Sequence, residues 1–242
     1  MSRTLAQDPG RSSTSRLLLR FVGMDARLAL RRIGLRLGVI SLGPVSSSDH
    51  AVPDTAVARA ALELAREASP DFLLNHCVRT WCFAATLAAR DRVRVDREAL
   101  FVAAILHDLG LTAPLAAEPG SFEWASARAA HGLCVAHGMV DTRADLVHDA
   151  VALHTAVGVA SRREPEVALV HLGAGCDLLG LRLGELPSEL LAGVLETWPR
   201  LGFKDRFASL LADQAANKPE SHIAGHVGLG LLDRMRAAPF AQ

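Results

Sequence analysis

The sequence predicts an all-α protein. Apolar residues recur at helical spacing from residue 53 onward, and alternating runs of Val, Ile and Thr, typical of strands, are nearly absent. Asp, Ser or Thr precedes most of the apolar runs, where a side-chain oxygen can cap the first turn of a helix. Half of the 242 residues are hydrophobic, which is enough for one sizeable core. We therefore expect a helical bundle with short loops.

Nine helices are predicted after residue 50, most of them from a cap and a following apolar period. Asp54, Asp71, Asp96 and Ser121 open the first four, and Gly138 ends the fourth. Either Asp141 or Thr142 opens the fifth. The predicted spans are about 54–68, 71–90, 96–108, 121–137, 141–154, 164–181, 187–196, 205–216 and 226–236.

Residues 1–50 differ in composition from the rest of the chain. They hold eight arginines against three aspartates, and residues 12–15 are Ser-Ser-Thr-Ser. Such a segment resembles a targeting or surface-binding helix, but its apolar stretches are too short for a convincing signal peptide. We expect a basic, poorly ordered N-terminal extension, with Met24 as an alternative translation start. The serines at 46–48 indicate a linker, so the domain is predicted to occupy residues 51–242.

The bulk composition argues against several classes of protein and of binding partner. The formal net charge is zero, so we expect no nucleic-acid partner, and no apolar run of about 18 residues predicts a membrane span. The four cysteines show no C-x2-C spacing and lie in apolar contexts. Buried free thiols are typical of a reducing compartment, which predicts a cytoplasmic protein.

An adjacent histidine and aspartate, His107 and Asp108, end the third predicted helix. In mid-helix the two side chains would point about 100° apart, but near the C-terminus, where Gly110 can relax the backbone, both can turn toward one ion. A carboxylate buried beside apolar residues is costly unless a cation or a donor pairs with it. A bound divalent metal is the favoured interpretation. The alternative is a histidine stabilised by the helix dipole, with Asp108 as its partner.

Two further side chains extend the predicted metal site. His76 lies on the second predicted helix, and Asp177 lies on the sixth, between apolar Cys176 and Leu178. Facing helices of a bundle commonly build metal sites from inward-pointing side chains. Two imidazoles and two carboxylates suit one divalent metal ion, with Zn favoured and Fe, Mn or Mg as alternatives.

The order of these residues resembles the H…HD…D pattern of the HD-domain metal-dependent hydrolases, and in particular their cyanamide hydratase-like branch. The resemblance covers residues 51–235 and implies an HD-domain helical bundle with His76, His107, Asp108 and Asp177 as the ligands of one metal. The motifs that carry it are Asn75–Arg79, Leu106–Thr112, Ser121–Glu123, Asp149–Thr155, Pro165–Leu169, Gly175–Gly180, Pro199–Phe203 and Lys218–Glu220.

Three more residues are predicted to be catalytic. Arg79 lies one helical turn after His76 and could position an aspartate of the site or bind an anionic group of the substrate. By the resemblance, Glu123 is a supporting or acid–base residue, although an acid in a first turn also suits a helix cap. His154 is predicted to transfer protons or line the pocket, and in binuclear relatives its place is that of an extra ligand.

The resemblance predicts an enzyme in which water activated on a divalent metal attacks a small cyanamide- or nitrile-like molecule. The first alternative is an HD phosphohydrolase acting on a nucleotide or phosphate ester. Phosphate recognition usually needs several convergent cations, and no basic cluster stands out after residue 50. The second alternative is a non-catalytic metal-binding module. The expected partners are a small-molecule substrate and, as an option, a second copy of the chain.

Overall fold

The computed structural model describes residues 5–8, 10–113 and 115–240. Within these residues it contains α-helices and short 3-10 turns but no strand, which confirms the all-α prediction. The helices are α1 (Thr14–Arg36), α2 (Ala56–Ala68), α3 (Asp71–Asp91), α4 (Arg97–Leu106), α5 (Phe122–Ala136), α6 (Asp141–Ala152), α7 (Pro165–Leu179), α8 (Ser188–Thr197), α9 (Phe203–Asn217), α10 (His222–Gly228) and α11 (Leu231–Arg236).

Side-chain caps fix the starts of several helices. Asp96 accepts a hydrogen bond from the Ala99 amide at the start of α4, and Ser121 accepts one from Trp124 at the start of α5. Both caps are as predicted. Thr55, and not Asp54, caps α2. The single helix predicted over 226–236 is wrong, because Gly230 adopts a φ of +82° and separates α10 from α11.

The core is built around α3, most of which is buried. It packs against α4 on one side and along α7 on another. The α3–α7 contact is close, since a Cβ added at Gly173 of α7 would lie 2.5 Å from the backbone oxygen of Thr80 on α3. Because α3 carries His76 and α7 carries Asp177, this seam brings the two side chains together.

A smaller apolar cluster covers the N-terminal end of α3. It joins Phe72 of α3 to Phe203 and Phe207 of α9, and it extends to α10 and α11. Phe203 stacks on the His76 ring with the centroids 4.7 Å apart. The C-terminal helices therefore form one wall around the histidine.

Residues 14–36, which we expected to be part of a poorly ordered extension, form α1 instead. Leu17 and Phe21 of this helix are buried in a small cluster with Val157. Arg31 contacts Glu185 with N–O distances of 2.9 Å, and it also pairs with Asp91. The burial and the ion pairs explain why the segment packs on the domain. None of the described helices combines the length and the apolar character needed to cross a membrane.

Candidate metal centre

Three buried side chains bring one donor atom each to a common point. The Nε2 atoms of His76 and His107 lie 3.3 Å apart. Asp108 Oδ2 lies 3.4 Å from the first nitrogen and 3.2 Å from the second. All three side chains are almost wholly inaccessible to solvent. This group can hold a metal ion.

The end of α4 explains how neighbouring residues reach one point. The helix ends at Leu106, and Asp108 has left helical geometry with φ −107° and ψ 10°. A glycine is needed at position 110 for close packing more than for backbone freedom, because a Cβ there would lie 2.1 Å from the backbone oxygen of Phe122. Its amide donates to Ser126 Oγ at 2.7 Å. The turn after α4 is thereby held against α5.

The hydrogen bonds of the rings determine which nitrogen is free. His107 Nδ1 lies 2.8 Å from the Ala104 carbonyl oxygen, and His76 Nδ1 lies 2.7 Å from Asp177 Oδ2. A carbonyl oxygen only accepts, so His107 Nδ1 carries the proton, and the carboxylate imposes the same tautomer on neutral His76. Both Nε2 lone pairs therefore point toward Asp108.

The arrangement fits a divalent metal. Asp108 Oδ2 is buried and forms no hydrogen bond with the described residues. In the tautomers described above, the two Nε2 atoms also present lone pairs, so three electron-rich atoms face one another. Metal–ligand distances of about 2.0–2.1 Å in a tetrahedral zinc site place neighbouring ligand atoms about 3.3 Å apart. The observed separations of 3.2, 3.3 and 3.4 Å agree with that spacing.

His154 lies at the other carboxylate oxygen of Asp108. Its Nε2 is 3.4 Å from Asp108 Oδ1, and its Nδ1 is 2.7 Å from the Val151 carbonyl oxygen. The residue follows the end of α6, and its ring meets that of His107 edge-on at 4.8 Å. The structure thus brings His154 to the group, and its role in catalysis stays a prediction.

Asp177 lies behind His76, outside the group of three. Its two oxygens receive Arg79 Nε and Nη2, each at 2.8 Å, and Oδ1 also receives Arg200 Nη1 at 2.7 Å. With His76 at Oδ2, the carboxylate is saturated by side-chain donors. The structure therefore places Asp177 between His76 and two arginines, and its role as a metal ligand stays a prediction.

Arg79 is buried against this carboxylate and the Trp198 carbonyl oxygen. Of the two roles considered for it, the geometry corresponds to positioning an aspartate. Arg200 was not singled out in the sequence. It lies in the loop between α8 and α9, and only the folded arrangement shows that it reaches Asp177. The Pro-Arg motif around it was the one available signal.

The electrostatics of the group follow from burial and from the close charges. Burial is the largest single effect on Asp108 and opposes its ionisation, but the neighbouring His107 together with the close rings of His154 and His76 outweighs it, so the pKa of the carboxyl falls well below its usual range. Burial is also the largest single effect on His107 and lowers its pKa, yet the contact with charged Asp108, the Ala104 carbonyl and the Asp177 charge together outweigh it, so the net pKa is raised. For Asp177, burial is again the largest single effect, but Arg79 and His76 together overcome it and lower the pKa.

An apolar cavity of about 70 Å³ adjoins the group. The donor-bearing residues His76, His107, Asp108 and His154 lie in its wall, and among the described residues that line it none is Arg or Lys. His171 and His226 also line it. Burial lowers the pKa of His171, and burial together with His222 lowers that of His226 to about 2. Both rings are neutral.

Glu123 is connected to the cavity by a hydrogen bond from Thr155. The side chain is buried in the first turn of α5, and its Oε1 accepts a 2.7 Å hydrogen bond from Thr155 Oγ1. Thr155 lines the cavity, whereas Glu123 does not. Glu123 Oε2 has no hydrogen-bond partner among the described residues. Ser121 caps the helix, so the cap position is already filled.

Residues 73–173 match the family model described as HD domain. The matched segment runs from α3 into α7 and contains His76, His107, Asp108 and His154, whereas Asp177 lies just beyond it. The match supports the HD-domain superfamily, whose members are in general metal-dependent hydrolases, and the all-α bundle agrees with it. No curated protein matches the chain.

Proposed function

We propose, from the premise of an HD domain over residues 73–173, that this protein is a metal-dependent hydrolase or hydratase of a small neutral molecule. The observation that carries the proposal is the convergence of His76 Nε2, His107 Nε2 and Asp108 Oδ2 in the wall of an apolar cavity whose described lining includes no Arg or Lys. A cyanamide- or nitrile-like compound is the proposed substrate class.

Two properties of the cavity support a small neutral substrate. A space of about 70 Å³ holds a few water molecules or a molecule of a few heavy atoms, since one water needs about 10–15 Å³ of such space. The rings of His171 and His226 are neutral, and the described lining includes no guanidinium or ammonium group. A phosphate ester would enter without the convergent cations that its recognition requires.

We infer one divalent ion, zinc before iron, manganese or magnesium, because two imidazoles and a carboxylate form a mixed nitrogen and oxygen set. His76, His107 and Asp108 would hold it, with Asp177 fixing the ring of His76 from behind. Such an ion polarises a bound substrate and lowers the pKa of a coordinated water to near neutrality.

The remaining residues are assigned to proton handling. His154 Nδ1–H is fixed on the Val151 carbonyl, so its Nε2, beside Asp108, accepts a proton within the cavity. The Thr155 hydroxyl donates to Glu123 and keeps its oxygen lone pairs for a donor in the cavity. Thr155 thereby connects the cavity to the Glu123 carboxylate.

The test combines metal analysis of the purified protein with a paired activity screen. One arm uses cyanamide and small nitriles, and the other uses nucleotides and a generic phosphate ester. About one ion per chain with turnover in the first arm supports the proposal. Phosphate release in the second arm, particularly with two ions, would replace it by a phosphohydrolase with His154 as a further ligand. Bound metal with no turnover in either arm would favour the non-catalytic module.

A further inference from the structure

The outward side of α1 carries an apolar surface. Twelve large hydrophobic residues are exposed among the described residues, and seven of them lie within residues 18–39. The most exposed are Leu19 at 72%, Leu37 at 73% and Val39 at 80%. The other four are Leu18, Val22, Leu30 and Ile33. Such a concentration differs from the scattered apolar residues of an ordinary surface and marks an interaction site.

These residues follow the period of the helix. Leu19, Val22, Ala26, Leu30, Ile33 and Leu37 recur at spacings of three and four, so they form one stripe, here named the outer stripe. At about 100° per residue, the stripe points away from Leu17 and Phe21, which are buried against the domain. The helix α1 is thus apolar on two opposite sides, and the described residues cover only the inner side.

Arginines border the outer stripe on both sides. Arg16 and Arg27 are exposed along one edge, and Arg32 and Arg36 are exposed along the other. The one acidic residue in the α1 sequence, Asp25, is paired with Arg234 at 2.6 Å. Two copies of this helix would bring like charges together, whereas an anionic surface would meet complementary charge.

We propose that the outer stripe of α1 docks on an anionic phospholipid surface. The apolar side chains would enter the boundary between headgroups and acyl chains, and the four bordering arginines would contact lipid phosphates. The helix would lie in the plane of the membrane surface. This inference rests on α1 alone and does not depend on the proposed function.

The docking would place the cavity near the lipid. Phe21 and Met24, on the inner side of α1, line the same cavity as His107 and Asp108. A helix with its side chains is about 10 Å thick, so the lipid surface and the cavity would be separated by about that distance.

The test is co-sedimentation of the full chain with vesicles of phosphatidylcholine alone and of phosphatidylcholine mixed with phosphatidylglycerol. We expect at least about tenfold stronger binding to the mixed vesicles, weakened by salt. A triple variant of the outer stripe, Leu19→Gln, Leu30→Gln and Ile33→Gln, should lose at least about tenfold in that binding, since each change removes an exposed apolar contact.

The matched control replaces exposed apolar residues elsewhere, as Val52→Gln, Val140→Gln and Leu201→Gln. It should bind as the wild type does, and circular dichroism should show both triple variants folded. Equal binding of the wild type to the two vesicle types, or unchanged binding of the stripe variant, would overturn the proposal. A third result would also overturn the proposal: the wild type is a dimer in light scattering, the stripe variant is a monomer, and the wild type binds no vesicles. The outer stripe would then be an interface between copies of the chain.

Discussion

His76 and Asp177 are joined by a contact of 2.7 Å between Nδ1 and Oδ2. The contact crosses the seam between α3 and α7 and fixes the tautomer in which Nε2 of His76 is free. It also aims that nitrogen at His107 and Asp108. Arg79 and Arg200 in turn hold the carboxylate, so the orientation of one proposed ligand depends on a buried ionic network.

Asp177→Asn tests whether this carboxylate positions His76 or binds the ion itself. If it positions the ring, metal affinity should fall about 10–100-fold while one ion still binds at saturation. The protein should also lose about 3–5 kcal/mol of stability, because two buried arginines lose their charge partner. Metal titration and denaturant unfolding measure the two effects.

The matched control for Asp177→Asn is Asp96→Asn. Asp96 also receives an arginine, Arg143, on both oxygens, but it caps α4 away from the metal centre. This control should leave metal affinity unchanged. A complete absence of metal in Asp177→Asn at every concentration would instead make Asp177 a ligand, as the sequence alone suggested.

Asp108→Ala should remove the ion altogether. The substitution deletes the one oxygen of the group, and the two remaining imidazoles give an incomplete site. Elemental analysis after dialysis should find metal near background, against about one ion per chain for the wild type. Wild-type stoichiometry in this variant would show that the ion is held elsewhere.

Much of the fold was predictable because local signals agree with it. The caps at Asp96 and Ser121 and the helical apolar period give most helices within a few residues. The long α1 was not expected to be ordered, because its stability comes from burial of Leu17 and Phe21 and from Arg31, which pairs with Asp91 and Glu185. Such contacts are not visible in a local pattern.

The candidate site was predictable in part for a similar reason. His107 and Asp108 are adjacent in sequence, and His76 follows from the H…HD order, so these three could be proposed together. The place of Asp177 depends on Arg200, which reaches it from a loop 23 residues further along. His226 lines the cavity only because α10 packs there, so its part in the site could not be derived from spacing.

Glu123→Gln should keep the metal and reduce turnover by about 10²–10⁴-fold, the usual contribution of a positioned acid or base. Thr155→Val should give a similar loss, because Glu123 contacts the cavity through the Thr155 hydroxyl. Steady-state kinetics with metal content measured in parallel separates catalysis from metal loss. An unchanged rate in Glu123→Gln would leave this residue a structural part of the first turn of α5.

Metal binding should weaken as the pH falls through the raised pKa of His107. Burial lowers the pKa of His107, but the contact with charged Asp108, the Ala104 carbonyl and the Asp177 charge together raise it above 6.5, so below the folded pKa protons compete with the ion for Nε2. In the chelator-treated protein the raised pKa contributes stability that is full below 6.5 and is lost as the pH rises through the folded pKa.

The metal-loaded protein should show the opposite trend, so the gain in Tm on adding metal should grow as the pH rises from below 6.5 through the folded pKa of His107. Thermal unfolding with and without the ion across this range provides the measurement. A gain that does not change with pH would show that His107 is not deprotonated on binding.

Gly173→Ala should destabilise the protein by about 1–3 kcal/mol, because the added Cβ would lie 2.5 Å from the Thr80 backbone oxygen and force α7 away from α3. The same displacement would lengthen the contact between His76 and Asp177, so metal affinity should fall as well. Gly132→Ala is the control: it lies within α5 with nothing within 4 Å of the new Cβ. It should stabilise the protein by about 0.5–1 kcal/mol and leave metal affinity unchanged. Equal effects of the two substitutions would mean that the α3–α7 seam is not tight at Gly173.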